Sequence, residues 1–299
     1  ENTPDALRRL FAAVTRKAPQ AWVVMEATGV YHWTAAVIAH AAGLKVAVIN
    51  PKVTSNFAKV LSQRNKTDRV DAQVLLRYGQ TVELVAWQPP RRAVIELRAI
   101  SRHLLVLTQQ QIAIRNRLHA EEAMGEAPVF VLRAYRQDLK RVEAQAAKAS
   151  AEAMKIIRSD ADLRAQFDAL DSIKGVAQAS AIALLGELAA LPATMSARAC
   201  VAHAGLDVRQ HQSGTSVAKP GRLTKHGNRH LRRALYMPAL VAVSHDPEAK
   251  AFYERLKAKG KKPMQALCAV MRKMLTGAWA LMKSRGVYDG ARLYAAVEA

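Results

Sequence analysis

The chain has 299 residues, 51% hydrophobic and 23% charged, which fits a folded protein of about two domains and excludes a disordered one. Lys and Arg number 45 against 24 Asp and Glu, a formal net charge of +21, and a polyanion is the simplest partner for that excess. A membrane surface is the weaker candidate, because the sequence has neither a basic amphipathic helix with a bare apolar face nor an apolar run long enough to span a bilayer.

The chain opens as a helix: Asn2-Thr3-Pro4-Asp5 starts it, and Leu7, Leu10, Phe11 and Val14 form its apolar face. Ala21 to Met25 is a short apolar run that reads as a buried strand, ending at Glu26 and the turn-like Thr28-Gly29. Tyr31 to Ala42 is helical in pattern and stops at Gly43. Lys45 to Ile49 is a second buried strand, closed by Asn50-Pro51, and a further helix follows. This alternation predicts an α/β layer with a largely parallel sheet, in which ligands gather at the carboxyl ends of strands, where Glu26 stands.

Next comes Arg64-Asn65-Lys66-Thr67-Asp68-Arg69-Val70-Asp71-Ala72, ahead of an apolar-periodic run. On a helix Asp68 and Asp71 lie one turn apart on one face. Two carboxylates held so repel unless a cation lies between them, and Mg²⁺ takes oxygen ligands of this kind. The plainer reading makes Asp68 an N-cap and Asp71 a residue favoured by the helix dipole.

Gln88-Pro89-Pro90 is the clearest boundary. Beyond it, 93–123 and 129–157 carry apolar residues at three- and four-residue spacing and predict two long helices joined near Gly125 and Pro128, a helical hairpin or coiled-coil arm suited to dimerisation or spacing. From Leu170, Ser172 to Leu185 resembles a helix-hairpin-helix, with Gly175 in the turn that would offer backbone amides to phosphate, although Ala177 replaces that motif's second glycine. Periodicity is lost from Asp207 to Gly221 and resumes in helices 230–243, 248–259 and 264–283, so the third region reads as all-α apart from one irregular segment. Cys200 and Cys268, far apart in apolar surroundings, fit neither a disulfide framework nor a zinc site. They predict a reducing, bacterial-type cytoplasm, and nothing resembles a secretion signal.

The irregular segment is strongly basic. Between Lys219 and Arg233 there are six Lys or Arg and no acid: Lys219, Arg222, Lys225, Arg229, Arg232 and Arg233. With Arg209 upstream, they suit a phosphate backbone held by a loop and a helix start, against the plainer reading of a solvated basic face. Ser213, before Gly214, is by itself an ordinary turn residue.

Together these motifs resemble a known family. Glu26-Ala27-Thr28-Gly29-Val30-Tyr31, Val48-Ile49-Asn50-Pro51 and Lys66-Thr67-Asp68-Arg69-Val70-Asp71-Ala72 resemble the N-terminal domain of the DEDD transposases of the insertion-sequence family one-ten, relatives of the Piv/MooV DNA invertases. Ala204-Gly205-Leu206, Gln212-Ser213-Gly214, Lys225-His226-Gly227-Asn228 and Leu231 to Tyr236 are similar to that family's C-terminal transposase domain. The resemblance runs nearly the whole length in the family's order.

It implies an α/β RuvC-like domain of the RNase H fold over 1–88, a helical coiled-coil region over 89–168 and an all-α C-terminal transposase domain over 169–299. Glu26 matches the family's second acid, Asp68 the third and Asp71 the fourth, all Mg²⁺ ligands, and Ser213 matches its nucleophile. Lys66, Gly175 and the basic residues of the irregular segment become candidate nucleic-acid contacts. Implied partners are donor and target DNA, a structured bridge RNA, and copies of the chain forming dimers that assemble into tetramers, the acids of one subunit completing the serine site of another. The implied location is the bacterial cytoplasm, on the nucleoid. The family's first acid lies on an opening strand that would precede the first helix here. Its absence predicts an N-terminally incomplete domain, by truncation or, alternatively, in a molecule with impaired metal binding. Two other functions fit the same residues: a RuvC-like nuclease using metal and water, with Ser213 structural, and a non-catalytic nucleic-acid-binding remnant.

Overall fold

A computed structural model describes residues 2–63, 65, 67–213 and 217–295, and the side chains of all of these except 210–213 and 217–220. The chain divides into two compact units, Glu1–Pro90 and Arg91–Ala299.

The first unit alternates helix and strand. Helix α1 (Pro4–Lys17) begins where the Thr3 hydroxyl accepts from Ala6 N, with Pro4 in the first turn, where its missing N–H costs nothing. Strand β1 (Trp22–Glu26) leads through α2 (Tyr31–Ala41) to β2 (Lys45–Ile49). The strands pair in parallel from Trp22 opposite Lys45 to Glu26 opposite Ile49, as a crossover helix requires. Leu7 and Phe11 of α1 bury against Ala36, Ala39, Leu44 and Val46. On the other side of β2, Trp87 N donates to Val46 O at 2.7 Å, and its ring meets Trp33 edge-on at 5.7 Å. Helix α3 (Pro51–Val60) is capped by Asn50, and α4 (Asp68–Thr81) by Thr67. This small parallel sheet with its helices is consistent with a partial RNase H-like core.

The second unit is mostly helical. Helices α5 (Arg92–Met124) and α6 (Val129–Ser159) lie antiparallel, α5 ending at left-handed Gly125. Ion pairs Arg115–Glu143 and Arg136–Glu122 join their exposed faces. Then come α7 (Ala161–Asp171), α8 (Gln178–Leu188) and α9 (Ala197–His203). Near its start α5 also packs on α8, where the small residues Ser101 and Gly186 let the backbones approach closely. The chain continues through β3 (Val208–Ser213), β4 (Val217–Leu223), α10 (Arg229–His245), α11 (Pro247–Ala258), α12 (Pro263–Ser284) and α13 (Gly290–Tyr294). One core joins Leu97, Leu184, Leu185, Leu231, Leu235 and Met274.

The expected all-α C-terminal region is corrected at one place. Strands β3 and β4 pair antiparallel, from Val208 opposite Leu223 to Ser213 opposite Val217, as the two arms of a hairpin. Its first strand, Val-Arg-Gln-His-Gln-Ser, has a single apolar residue, so the period-two alternation that signals a half-buried strand is missing. Pro220-Gly221 adds the residues of a turn to the middle of the second.

Candidate active site and nucleic-acid interface

In the first unit Glu26 ends β1, and the ladder continues past it with Ala27 N donating to Ile49 O at 2.8 Å. The carboxylate is half-buried and held from both sides. Thr28 Oγ1 donates to Oε1 at 2.7 Å and Thr54 Oγ1, from α3, to Oε2 at 2.5 Å. Two hydroxyl donors fix its orientation.

Helix α4 begins at Asp68, but Asp68 is not its cap. Thr67 fills that place, its hydroxyl accepting from Val70 N at 3.3 Å. Asp68 and Asp71 therefore stand in the first turn, exposed, with no side-chain hydrogen bond or ion pair among the described residues. The helix dipole favours both charges. Gly79 lets α4 lie close to β1: a Cβ there would come within 3.2 Å of Val24 Cγ2. Among the described residues, no group of three or more His, Cys, Asp or Glu stands close enough to hold a metal ion. Lys66 lies outside them.

The second unit carries the other candidates. Ser213 is the last residue of β3, with its backbone opposite Val217. Its side chain and that of Lys219 lie outside the described residues. Four residues before Ser213, Arg209 pairs directly with Arg222 across the hairpin, both exposed. Like charges placed opposite each other on a hairpin are destabilising. An anion received between them would reverse that cost.

The hairpin returns into a turn locked to the end of α9. Lys225 N donates to Gly205 O at 3.2 Å and Asn228 N to His203 O at 2.7 Å. Gly227 has φ of +119° and lies with its Cα against His203 O, where no side chain fits. Lys225 itself is left-handed, with φ of 52°, an arrangement that the surrounding hydrogen bonds must maintain. Asn228 then caps α10, its Oδ1 accepting from His230 N at 2.9 Å and Leu231 N at 3.3 Å. Arg229 is exposed on the first turn. Arg233 is half-buried, as is Arg232, which is turned inward with Nη1 donating to Ala204 O at 2.8 Å. Of the two, Arg232 therefore acts first as a brace.

Beneath this turn lies a charge cluster that sequence reasoning missed. Glu187 on α8 is 1% exposed and takes a forked contact from Arg102 of α5, Nε to Oε1 at 2.5 Å and Nη2 to Oε2 at 3.0 Å. Arg98 Nε stands 3.3 Å from Oε2. Burial alone would push the carboxyl up, but the bonds from Arg102 and Asn228 and the nearby guanidiniums outweigh it and hold Glu187 below its ordinary value. Burial, and then Arg98, push His203 down; burial and Arg102 do the same to His230. The available signal was Glu187 itself, an acid in an otherwise apolar run from Ala181 to Leu188, which requires a buried partner.

Gly175 sits between α7 and α8, and its close neighbour is α10. A Cβ there would come within 2.5 Å of Pro238 O and 3.0 Å of Ala242 N. Helix packing therefore accounts for this glycine. Cys200 is free and buried, its thiol pushed up to about 11 by burial, and Cys268 is free and half-buried.

Two family models match parts of the chain. A family described as Transposase, of the DEDD IS110 type, matches residues 1–121. The Transposase IS116/IS110/IS902 family matches residues 168–254. The pilin gene-inverting protein of Moraxella bovis is 30% identical over 89% of this chain and 81% of its own length, and that of Moraxella lacunata is equally similar. The insertion element IS110 uncharacterized 43.6 kDa protein of Streptomyces coelicolor is 30% identical over 43% of this chain and 31% of its own. Among the described residues, no helix is long and apolar enough to cross a membrane. The chain belongs to the IS110/Piv-type family of DEDD transposases and recombinases, enzymes of phosphoryl transfer on DNA.

Proposed function

We propose that the chain cleaves and rejoins DNA strands of an insertion sequence through a phosphoserine–DNA intermediate on Ser213. The observation that carries this reading is the place of Ser213: it ends β3 of a hairpin whose strands oppose Arg209 and Arg222, a pairing suited to a phosphate. The Moraxella relatives are named for inverting a gene, which requires strands to be cut and rejoined.

In the proposed step the Ser213 hydroxyl oxygen attacks phosphorus. A serine–phosphorus bond forms, the bond to one deoxyribose oxygen breaks, and that oxygen leaves with a proton. A strand hydroxyl from the partner DNA then displaces the serine, returning its proton. One phosphodiester replaces another, so no external nucleotide is consumed. Arg209, Arg222, Lys225 and Arg229 hold phosphates of the strand near the scissile one and offset their charge, and Asn228, bound to Glu187, fixes where the turn carrying Lys225 stands.

Family membership points to metal-dependent chemistry, and Glu26, Asp68 and Asp71 are the residues of this chain that would hold Mg²⁺. Their oxygens suit that ion, which when bound would offset charge on the scissile phosphate. The described side chains do not by themselves gather three such groups. Bridge RNA as guide, assembly of dimers into tetramers, sharing of acids and serine between subunits, and action at the nucleoid complete the proposal; base pairing would then specify the sequence while the protein reads backbone and shape.

The test is Ser213→Ala with Asp68→Asn beside it. Loss of both strand exchange and the covalent protein–DNA adduct in Ser213→Ala supports the serine. Cleavage that persists without an adduct makes the enzyme a metal-and-water nuclease. Wild-type protein that binds nucleic acid but never cuts it is a binding remnant. Mixing the two variants asks where the parts meet: regained cleavage places them on different subunits, and mixed dimers that stay inactive place them on one.

A further inference from the structure

A cleft of about 770 Å³ lies within the second unit, between the outgoing strand of the hairpin and helices α11 and α12. Its floor is apolar, with Leu206, Leu256 and Met264, and Arg222, Lys225, Lys261 and Arg272 are the cations of its lining. Among the described residues no carboxylate lines it, and none of these four cations forms an ion pair with one. Two of the four, Lys261 and Arg272, belong to no motif of the sequence.

We propose that this cleft is a channel for single-stranded DNA, holding the nucleotides next to the scissile phosphate. Four cations without an ion pair among the described residues, around an apolar floor, match a strand that exposes phosphates on one side and bases on the other; sequence-tolerant single-strand grooves combine such cations with aromatic platforms, whose place aliphatic side chains take here. A volume of this order holds a ligand of drug size, hence one or two nucleotides, and has no room for a duplex. Val208 and Arg222 line it from the same hairpin that carries Ser213. The five steps from Val208 to Ser213 span roughly 17 Å at about 3.3 Å each, so a strand cut at Ser213 would reach the cleft within a few nucleotides. The assignment to DNA rests on the proposed chemistry at Ser213. The cleft itself does not.

The native thiols allow a test in the intact protein. Cys268 lines the cleft, whereas Cys200 is fully buried elsewhere in the core. Alkylation of Cys268 by iodoacetamide should slow at least fivefold with saturating single-stranded DNA oligonucleotide, and change little with duplex of the same sequence. Lys261→Gln with Arg272→Gln should abolish the protection and reduce the log–log salt slope of single-strand binding by about 1.4, or ~0.7 for each phosphate no longer neutralised. Unchanged alkylation under saturating single strand overturns the channel. Equal protection by duplex overturns its single-strand selectivity, and stronger protection by RNA of the same sequence overturns the assignment to DNA. Ser213→Ala should retain the protection, so failure of the serine chemistry and failure of the channel are read separately.

Discussion

Asn228 donates from Nδ2 to Glu187 Oε2 at 2.7 Å while its Oδ1 caps α10, so one amide ties the basic turn to a buried acid. Removing the acid's charge leaves Arg98 and Arg102 facing it unpaired. Breaking a wholly buried pair costs about 3–5 kcal/mol. Here the guanidinium side chains keep 35% and 40% of their surface in water, which reduces the expected loss to about 2–4 kcal/mol. Glu187→Gln should show it as a lower urea midpoint with an unchanged slope. A loss below ~0.5 kcal/mol would mean that the cluster does not brace the turn.

Acid should loosen the same region before its carboxylates titrate. His203 and His230 lie below the ordinary value in the folded protein, chiefly through burial, and return to about 6.5 when it unfolds. Between those values the unfolded chain binds more protons, so stability falls as pH drops below about 6.5 and levels off below the folded values. Glu187, depressed in the folded state, contributes stability above the ordinary carboxylate range that is lost only as pH falls through its own lower value. Urea midpoints at pH 7.5, 6.5 and 5.5 should therefore decline, and His203→Gln should flatten the decline. A flat wild-type profile would contradict the partial burial of the two rings.

The two aspartates and the threonine before them can now be separated. Thr67→Ala removes the cap of α4 and should cost about 1 kcal/mol. Asp68→Asn keeps shape and leaves that cap intact, so its stability should change by less than ~0.5 kcal/mol. Under the proposed chemistry it should nevertheless lose DNA cleavage. Full activity in Asp68→Asn would leave the residue with no role beyond favouring the helix start.

Both sheet strands of the first unit were legible in the sequence because short apolar runs between turn residues leave little choice. The cap at Thr67 was not, since Asp68 is an equally good capping residue and only backbone geometry decides between neighbours. The hairpin was hidden because its first strand has a single apolar residue and Pro220-Gly221 puts turn residues inside the second. The partners of Glu187 were hidden differently: Arg102 lies 85 positions earlier on a helix whose pattern describes its neighbour α6 and says nothing of α8. Local periodicity finds elements, whereas ion pairs between distant elements leave only a single misplaced charge as their trace.

Arg209 and Arg222 supply the last prediction. Opposed on the free hairpin, they repel; a phosphate between them adds an attraction to each that outweighs the one repulsion. Arg222→Gln should therefore weaken binding of single-stranded DNA and lower its log–log salt slope by about 0.7. Removing one of two like charges also relieves the hairpin, so the folded protein should be unchanged or slightly more stable, by a few tenths of a kcal/mol. Weaker binding with retained stability is the expected combination, because a structural ion pair would lose both together. If the double variant Arg209→Gln, Arg222→Gln binds DNA with the wild-type slope, the phosphate contacts lie elsewhere, and the opposed arginines are a solvated pair whose repulsion water already screens.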